Sequence, residues 1–199
     1  MDAHAHLGHG AERGSPSVNR VAALATLHCL TGCAIGEVLG MVIGTAWGLS
    51  NAATIALAVV LAFVFGYGLT MIPLLRAGLG LSAALPLAFA SDSLSIAVME
   101  IVDNAVVLAV PGAMDAGLGD LLFWGSLAFA LLVAFAAAFP LNRYLIARGR
   151  GHAVVHAYHG HGDDEPTPMP TPSRSLYALG AGAIVVTVAV TTVAAILVD

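Results

Sequence analysis

Long apolar stretches alternate with short polar segments along this chain. A stretch of about 20 apolar residues is long enough for an α-helix to cross the roughly 30 Å hydrocarbon core of a bilayer. The pattern therefore predicts an all-α fold, a polytopic transmembrane helix bundle with about five spans. We place the spans at about Val21–Trp47, Ala52–Leu74, Ser82–Val110, Leu121–Phe139 and Leu176–Val198.

Turn-forming residues separate the predicted spans. A very short turn at residues 49–51 makes the first two spans an antiparallel hairpin, Pro111 follows the third span, and Pro140 closes the apolar part of the fourth. The third span has two interpretations. It is either one continuous helix or, because Asp92 lies in a plausible helix start, a short interfacial helix followed by a span over 93–110.

These elements divide the chain into four parts. We expect a histidine-containing cytoplasmic tail (1–20), a four-helix transmembrane domain (21–147), a His-rich and then Pro-rich cytoplasmic linker (148–175) and a fifth transmembrane helix (176–199). The alternating prolines of the linker favour extended polyproline II structure over helix.

Arginine placement predicts the orientation in the membrane. Arginines precede the first span and lie between the second and third and between the fourth and fifth, whereas the opposite loops carry aspartate and no arginine. With five spans, all the arginine-bearing segments lie on one side. The positive-inside rule then places the protein in the cytoplasmic membrane with its N-terminus in the cytoplasm and its C-terminus outside.

Composition agrees with a membrane protein. The chain is 59% hydrophobic and 10% charged, and its mean hydropathy is +0.91, whereas a soluble domain is about half apolar and a quarter charged. The lipid bilayer is therefore the expected surrounding. A net charge of -5 provides no basic surface for nucleic acid. The polar N-terminal segment lacks the apolar region of a signal peptide.

A glycine repeat marks the first span. Gly32, Gly36, Gly40 and Gly44 recur every four residues and form one face of a helix. Small residues let a second helix approach closely in lipid. We expect this face to dock another helix, from this chain, from a second copy or from another membrane protein.

A row of potential ligands runs one position away from the glycines. Cys29, Cys33, Glu37 and Met41 follow the same four-residue step. Sulfur ligands favour copper(I), and zinc accepts thiolate and carboxylate. The cysteines can equally be small buried apolar residues, but a carboxylate at this depth usually has a partner or a function. His28 points about 100° away from Cys29, so it either joins a metal site or braces a neighbouring helix.

The third span carries three acids. Asp92, Glu100 and Asp103 should face the bundle interior or a wet cavity, where an uncompensated carboxylate either protonates or binds a cation. Alternatively Asp92 caps a helix and Asp103 lies near the outer interface. Glu37 and Glu100 lie about 24 and 27 Å from the same membrane face. They can meet if the glycine face packs against the third span.

Histidines cluster outside the spans. His152, His156 and His159 have the i, i+4, i+7 spacing of one helical face, and further histidines lie near the N-terminus. Helical histidines at this spacing can share a metal ion. The alternative is a solvated tail, or one that faces lipid headgroups.

Three runs carry a family resemblance: ATLHCLTGCAIGEVLGMVIG, SLSIAVMEIVDN with PGAMDAGL, and FPLNRYLIARGRGHAVVH. They resemble a prokaryotic multi-pass membrane family known only as a domain of unknown function, the 4396 family. The resemblance covers roughly His28 to His156. It implies a multi-pass membrane fold and no particular activity.

Three functional hypotheses follow. The first is a protein that binds copper or zinc and, as a carrier, transports the ion. Its candidate ligands are His28, Cys29, Cys33, Glu37, Asp92, Glu100, Asp103, His152, His156 and His159. The second is a membrane thiol redox protein that uses Cys29 and Cys33. The third is a non-catalytic structural or accessory subunit. No nucleotide-binding loop, nucleophile elbow or zincin motif is present, so hydrolytic chemistry lacks specific support.

Overall fold

The computed structural model describes residues 17–148 and 174–198. These residues form five helices: α1 (Val18–Trp47), α2 (Asn51–Arg76), α3 (Leu81–Ala109), α4 (Leu121–Ala147) and α5 (Arg174–Val198). Each is long and apolar enough to cross a membrane, and the described part of the chain contains no strand. The predicted all-α fold and span count are confirmed, and the chain is a multi-pass membrane protein.

The helices form an up-and-down bundle. α1 packs along α2, α4 contacts α1 and α3, and α5 lies against α2 and α3. The α1–α2 turn and the α3–α4 loop lie together at one end, which we call the hairpin end. The α2–α3 turn lies at the opposite end.

The α1–α2 turn is short because both helix ends are capped locally. Gly48 ends α1 with a φ of 63°, in the left-handed region that glycine adopts without strain. The Ser50 side chain then accepts a hydrogen bond from the Ala53 N–H at 3.3 Å and starts α2. The predicted antiparallel hairpin follows from these two caps.

Two helices run through positions at which the sequence suggested a break. α3 is continuous from Leu81 to Ala109 with Pro86 inside it, so the interpretation of a separate interfacial helix is wrong. Asp92 lies in the middle of α3 and caps nothing. α4 continues through Pro140 as far as Ala147, since proline is tolerated in transmembrane helices whose neighbours satisfy the freed backbone groups.

α5 is fitted closely against α3. A side-chain carbon on Gly180 would lie 2.6 Å from the Phe89 ring, so only glycine leaves room for that ring. The Tyr177 hydroxyl donates a hydrogen bond of 3.3 Å to the Ser82 carbonyl. The predicted fifth span therefore packs as part of the described bundle.

Candidate functional site

The glycine face of α1 docks against α2. A side-chain carbon on Gly32 would lie 2.6 Å from the Gly66 Cα, and one on Gly40 would lie 2.5 Å from the Ala58 Cβ. Real carbon contacts are never this short, so glycine is required for the helices to meet at this distance. The close helix–helix seam is confirmed, and the helix that packs in it is α2 rather than the third span. α2 of the same chain covers the face.

The docking of α2 leaves the neighbouring row of α1 facing α3. Cys33 and Glu37 lie one turn apart on α1, and Glu100 and Asp103 lie three residues apart on α3, so each pair shares one helix face. The carboxyl groups of Glu37, Glu100 and Asp103 are close enough to interact electrostatically, and the Cys33 thiol adjoins Glu100. We call these four residues the inner acidic cluster.

The inner acidic cluster is buried and has few partners. Glu100 and Asp103 are 0% and 1% exposed, and neither oxygen of either carboxyl group has a hydrogen-bond partner within the described residues. The described arginine side chains are exposed and lie toward helix ends. The described part of the chain thus places no basic side chain in the cluster to offset its charge.

Asn104 is the residue that ties the cluster together. Its side-chain amide donates to the Glu37 Oε1 at 3.4 Å and to the Glu100 carbonyl at 2.9 Å. The first bond crosses from α3 to α1, and the second stays within α3. Asn104 therefore holds Glu37 toward the acids of α3.

A second polar group lies nearer the other end of the bundle. His28 Nε2 and the Thr70 hydroxyl share a hydrogen bond of 2.9 Å between α1 and α2. The Ser91 hydroxyl donates to Asp92 Oδ1 at 2.8 Å, and Cys29 lies near Asp92. His28 thus braces a neighbouring helix, which is one of its two predicted roles.

Asn142 extends this second group to α4. Its side-chain amide donates to the Thr26 hydroxyl at 3.0 Å and to the Ser95 hydroxyl at 2.9 Å. These bonds connect α4 to α1 and α3. We call the residues joined by these hydrogen bonds the polar layer: Thr26, His28, Thr70, Ser91, Asp92, Ser95 and Asn142.

The candidate ligands therefore separate into three groups. Cys33, Glu37, Glu100 and Asp103 form the inner acidic cluster; His28, Cys29 and Asp92 lie in or beside the polar layer; His152, His156 and His159 lie outside the described residues. Both cysteines are buried free thiols. Asp103 is buried in the bundle, and its position near the outer interface stays a prediction. In residues 17–148 and 174–198, no three His, Cys, Asp or Glu side chains form a ready-made metal group.

A cavity reaches the cluster from the hairpin end. It is small, with about 20 Å³ of space that water can occupy, and it is partly open to the outside. Its lining comes from α1, α2, α3, α4 and the α3–α4 loop: Glu37, Met41, Thr54, Ile55, Ala58, Asn104, Val107, Ala113, Met114, Phe123, Ser126 and Leu127. We call it the hairpin-end cavity.

Sequence reasoning missed the two asparagines. Asn104 and Asn142 both lie in helices and are buried, and an amide inside an apolar span is expected to bond across helices. That signal was available in the sequence. Thr70 gave no comparable signal, because threonine in a span commonly bonds to its own helix.

One family model matches the chain, over residues 18–151, and its description is "Domain of unknown function (DUF4396)". No curated protein matches the chain, and no solved structure matches it either. The matched region includes α1 to α4, with both the inner acidic cluster and the polar layer, and ends before α5. Since the match covers more than half of the chain, the protein belongs to the DUF4396 family, as the three sequence runs indicated.

Proposed function

We propose that this membrane protein binds and transports a transition-metal ion at the inner acidic cluster. The observation that carries the proposal is the pair Glu100 and Asp103, whose buried carboxyl oxygens have no hydrogen-bond partner among the described residues. A bare carboxylate inside a bilayer is costly unless it is protonated or meets a cation. A bound ion would supply the missing positive charge.

Zinc fits the donor set better than copper(I). The cluster offers three carboxyl groups and the single thiol of Cys33, and zinc accepts both ligand types. Copper(I) prefers several sulfur ligands, and of the two cysteines only Cys33 adjoins Glu100, whereas Cys29, one turn earlier on α1, lies near Asp92. Because the described side chains form no ready-made metal group, binding requires rotation of side chains toward the ion.

The orientation and the histidines complete the proposal. The arginine pattern favours a cytoplasmic N-terminus, an outer hairpin end and an outer C-terminus in the cytoplasmic membrane. On this orientation, His152, His156 and His159 lie on the cytoplasmic side, where they would collect or release the ion. The thiol redox alternative stays a prediction; it requires a reversible Cys29–Cys33 disulfide in the purified protein.

Zinc titration of the purified full chain tests this function. We expect wild type to bind zinc with release of protons, because the acidic ligands give up protons to the metal. Glu100→Gln and Asp103→Asn should each weaken binding by about tenfold or more, the scale expected on loss of a ligand or its close support. Asp115→Asn removes an exposed loop carboxylate and is the matched control. Absence of zinc binding by wild type, or equal binding by all variants, would overturn the proposal.

A further inference from the structure

Glu37 lies where the inner acidic cluster meets the hairpin-end cavity. It is a member of the inner acidic cluster, and its side chain also lines the hairpin-end cavity. It is 8% exposed, whereas Glu100, deeper in the bundle, is 0% exposed. Glu37 is therefore the carboxylate that something in the cavity meets before it reaches Glu100.

The lining of the cavity suits a small cation. Glu37 is the ionisable residue in the described lining, and Asn104 and Thr54 add an amide and a hydroxyl. The Ser126 hydroxyl instead donates to carbonyls of its own helix. Much of the remaining lining is apolar. Met41 is flexible enough to move aside. The water-sized space in the cavity holds about one water molecule, so a cation would enter with part of its hydration shell removed.

The opposite approach to the cluster crosses the polar layer. His28 bonds to Thr70, and Asn142 bonds to Thr26 and Ser95, so hydrogen bonds join α1 to α2 and α4 to both α1 and α3. These residues precede the cluster along α1 and α3, on the side away from the hairpin end. A cation that came from that side would have to break several of these bonds.

We propose that the hairpin-end cavity is the entry route by which a divalent cation reaches the inner acidic cluster, and that Glu37, the member of the cluster that lines the cavity, is the first carboxylate to bind it. The proposal rests on the function proposed for the inner acidic cluster. It adds a first binding position and a direction of access, from the end that carries the α1–α2 turn and the α3–α4 loop.

Silver ion, a small thiol-reactive cation, tests the direction of access. In membrane vesicles of a chain in which Cys29 and Cys33 are serine, silver is added to one side of Ser126→Cys, and the thiols left unreacted are counted after denaturation. Leu118→Cys in the α3–α4 loop reports the hairpin end, and Ala77→Cys in the α2–α3 turn reports the opposite end. We expect Ser126→Cys to react from the same side as Leu118→Cys. Protection from both sides, or reaction from the Ala77→Cys side, would overturn the entry route.

Zinc loading kinetics test the role of the cavity in the otherwise native chain. Ser126→Leu fills part of the cavity, and Ser126→Ala is the control that leaves it open. We expect Ser126→Leu to slow zinc association by about tenfold, as expected when an access step limits the rate, while the amount of zinc bound at equilibrium stays near the wild-type value. Equal association rates would contradict the entry route. If wild type binds no zinc, the function proposed for the cluster fails, and silver access alone then decides whether the cavity admits cations.

Discussion

Asn104 on α3 donates a hydrogen bond of 3.4 Å to Glu37 on α1, across a sequence separation of 67 residues. The same amide bonds to the Glu100 carbonyl at 2.9 Å. One side chain thereby fixes the position of the cavity-lining carboxylate relative to the buried acids. Asn104 is in the position of an outer residue that orients a ligand without itself supplying the negative charge.

The first prediction concerns this orienting role. Asn104→Ala should weaken zinc binding by roughly tenfold, the lower end of the range for loss of a residue that orients a ligand. The protein should remain folded, because Glu37 can turn toward the cavity once its hydrogen bond to Asn104 is lost. Asn19→Ala, in the exposed first turn of α1, is the control. Binding unchanged by Asn104→Ala would show that Glu37 needs no support from α3.

The second prediction concerns the seam between α1 and α2. Gly40→Ala places a methyl group 2.5 Å from the Ala58 Cβ and should destabilise the protein by about 1–3 kcal/mol, the usual cost of overpacking. Gly68→Ala is the matched control on α2, because nothing lies within 4 Å of its added carbon. Thermal unfolding in detergent should show a lower midpoint for Gly40→Ala alone. Equal midpoints for the two variants would refute the close seam.

The third prediction concerns the polar layer. Thr26 and Thr31 both donate to the carbonyl four residues earlier, at 2.7 and 2.8 Å, but only Thr26 also accepts a hydrogen bond from Asn142. A double-mutant cycle between Thr26→Val and Asn142→Leu should give a coupling of about 0.6–1.7 kcal/mol, the range for hydrogen bonds between transmembrane helices. The same cycle with Thr31→Val should give none. A coupling near zero in the first cycle would contradict the hydrogen bond between Asn142 and Thr26.

Much of the fold was predictable, because the length of an apolar stretch is set by the thickness of the bilayer. The helix ends were harder to predict from the sequence. Pro140 looked like a stop, yet α4 continues for two further turns and brings Asn142 into the interior. A proline ends a helix in water more reliably than in a bundle where neighbouring helices compensate.

The sequence indicated which residues could form the site, but it did not indicate how those residues are arranged in space. Helical periodicity places Cys29, Cys33 and Glu37 on one edge of α1, and it says nothing about which helix packs there. Because the glycine face takes α2 and the neighbouring edge takes α3, the row divides between two polar groups. Glu37 still meets Glu100, because the neighbouring edge of α1 faces α3.

The fourth prediction concerns orientation. A reporter fused after Asp199 should be active outside the cytoplasmic membrane, and one fused near Gly162 should be active inside, because the arginine-bearing segments stay in the cytoplasm. Each position should be tested with two reporters, one active only in the cytoplasm and one active only outside the membrane, because together they identify the side directly. The same sidedness at both positions would contradict the five-span topology.

The fifth prediction concerns the ion's immediate ligands and is the most direct test of the proposed site. X-ray absorption at the zinc edge should be measured on the zinc-loaded full chain, with alanine in place of every histidine except His28 so that the tails cannot bind the metal. We expect mainly oxygen ligands at about 2.0–2.2 Å and one sulfur at about 2.3 Å. The sulfur signal should disappear in Cys33→Ser and persist in Cys29→Ser. An imidazole ligand from His28, a shell without sulfur, or a sulfur signal that Cys33→Ser leaves unchanged would contradict an ion site at Cys33, Glu37, Glu100 and Asp103.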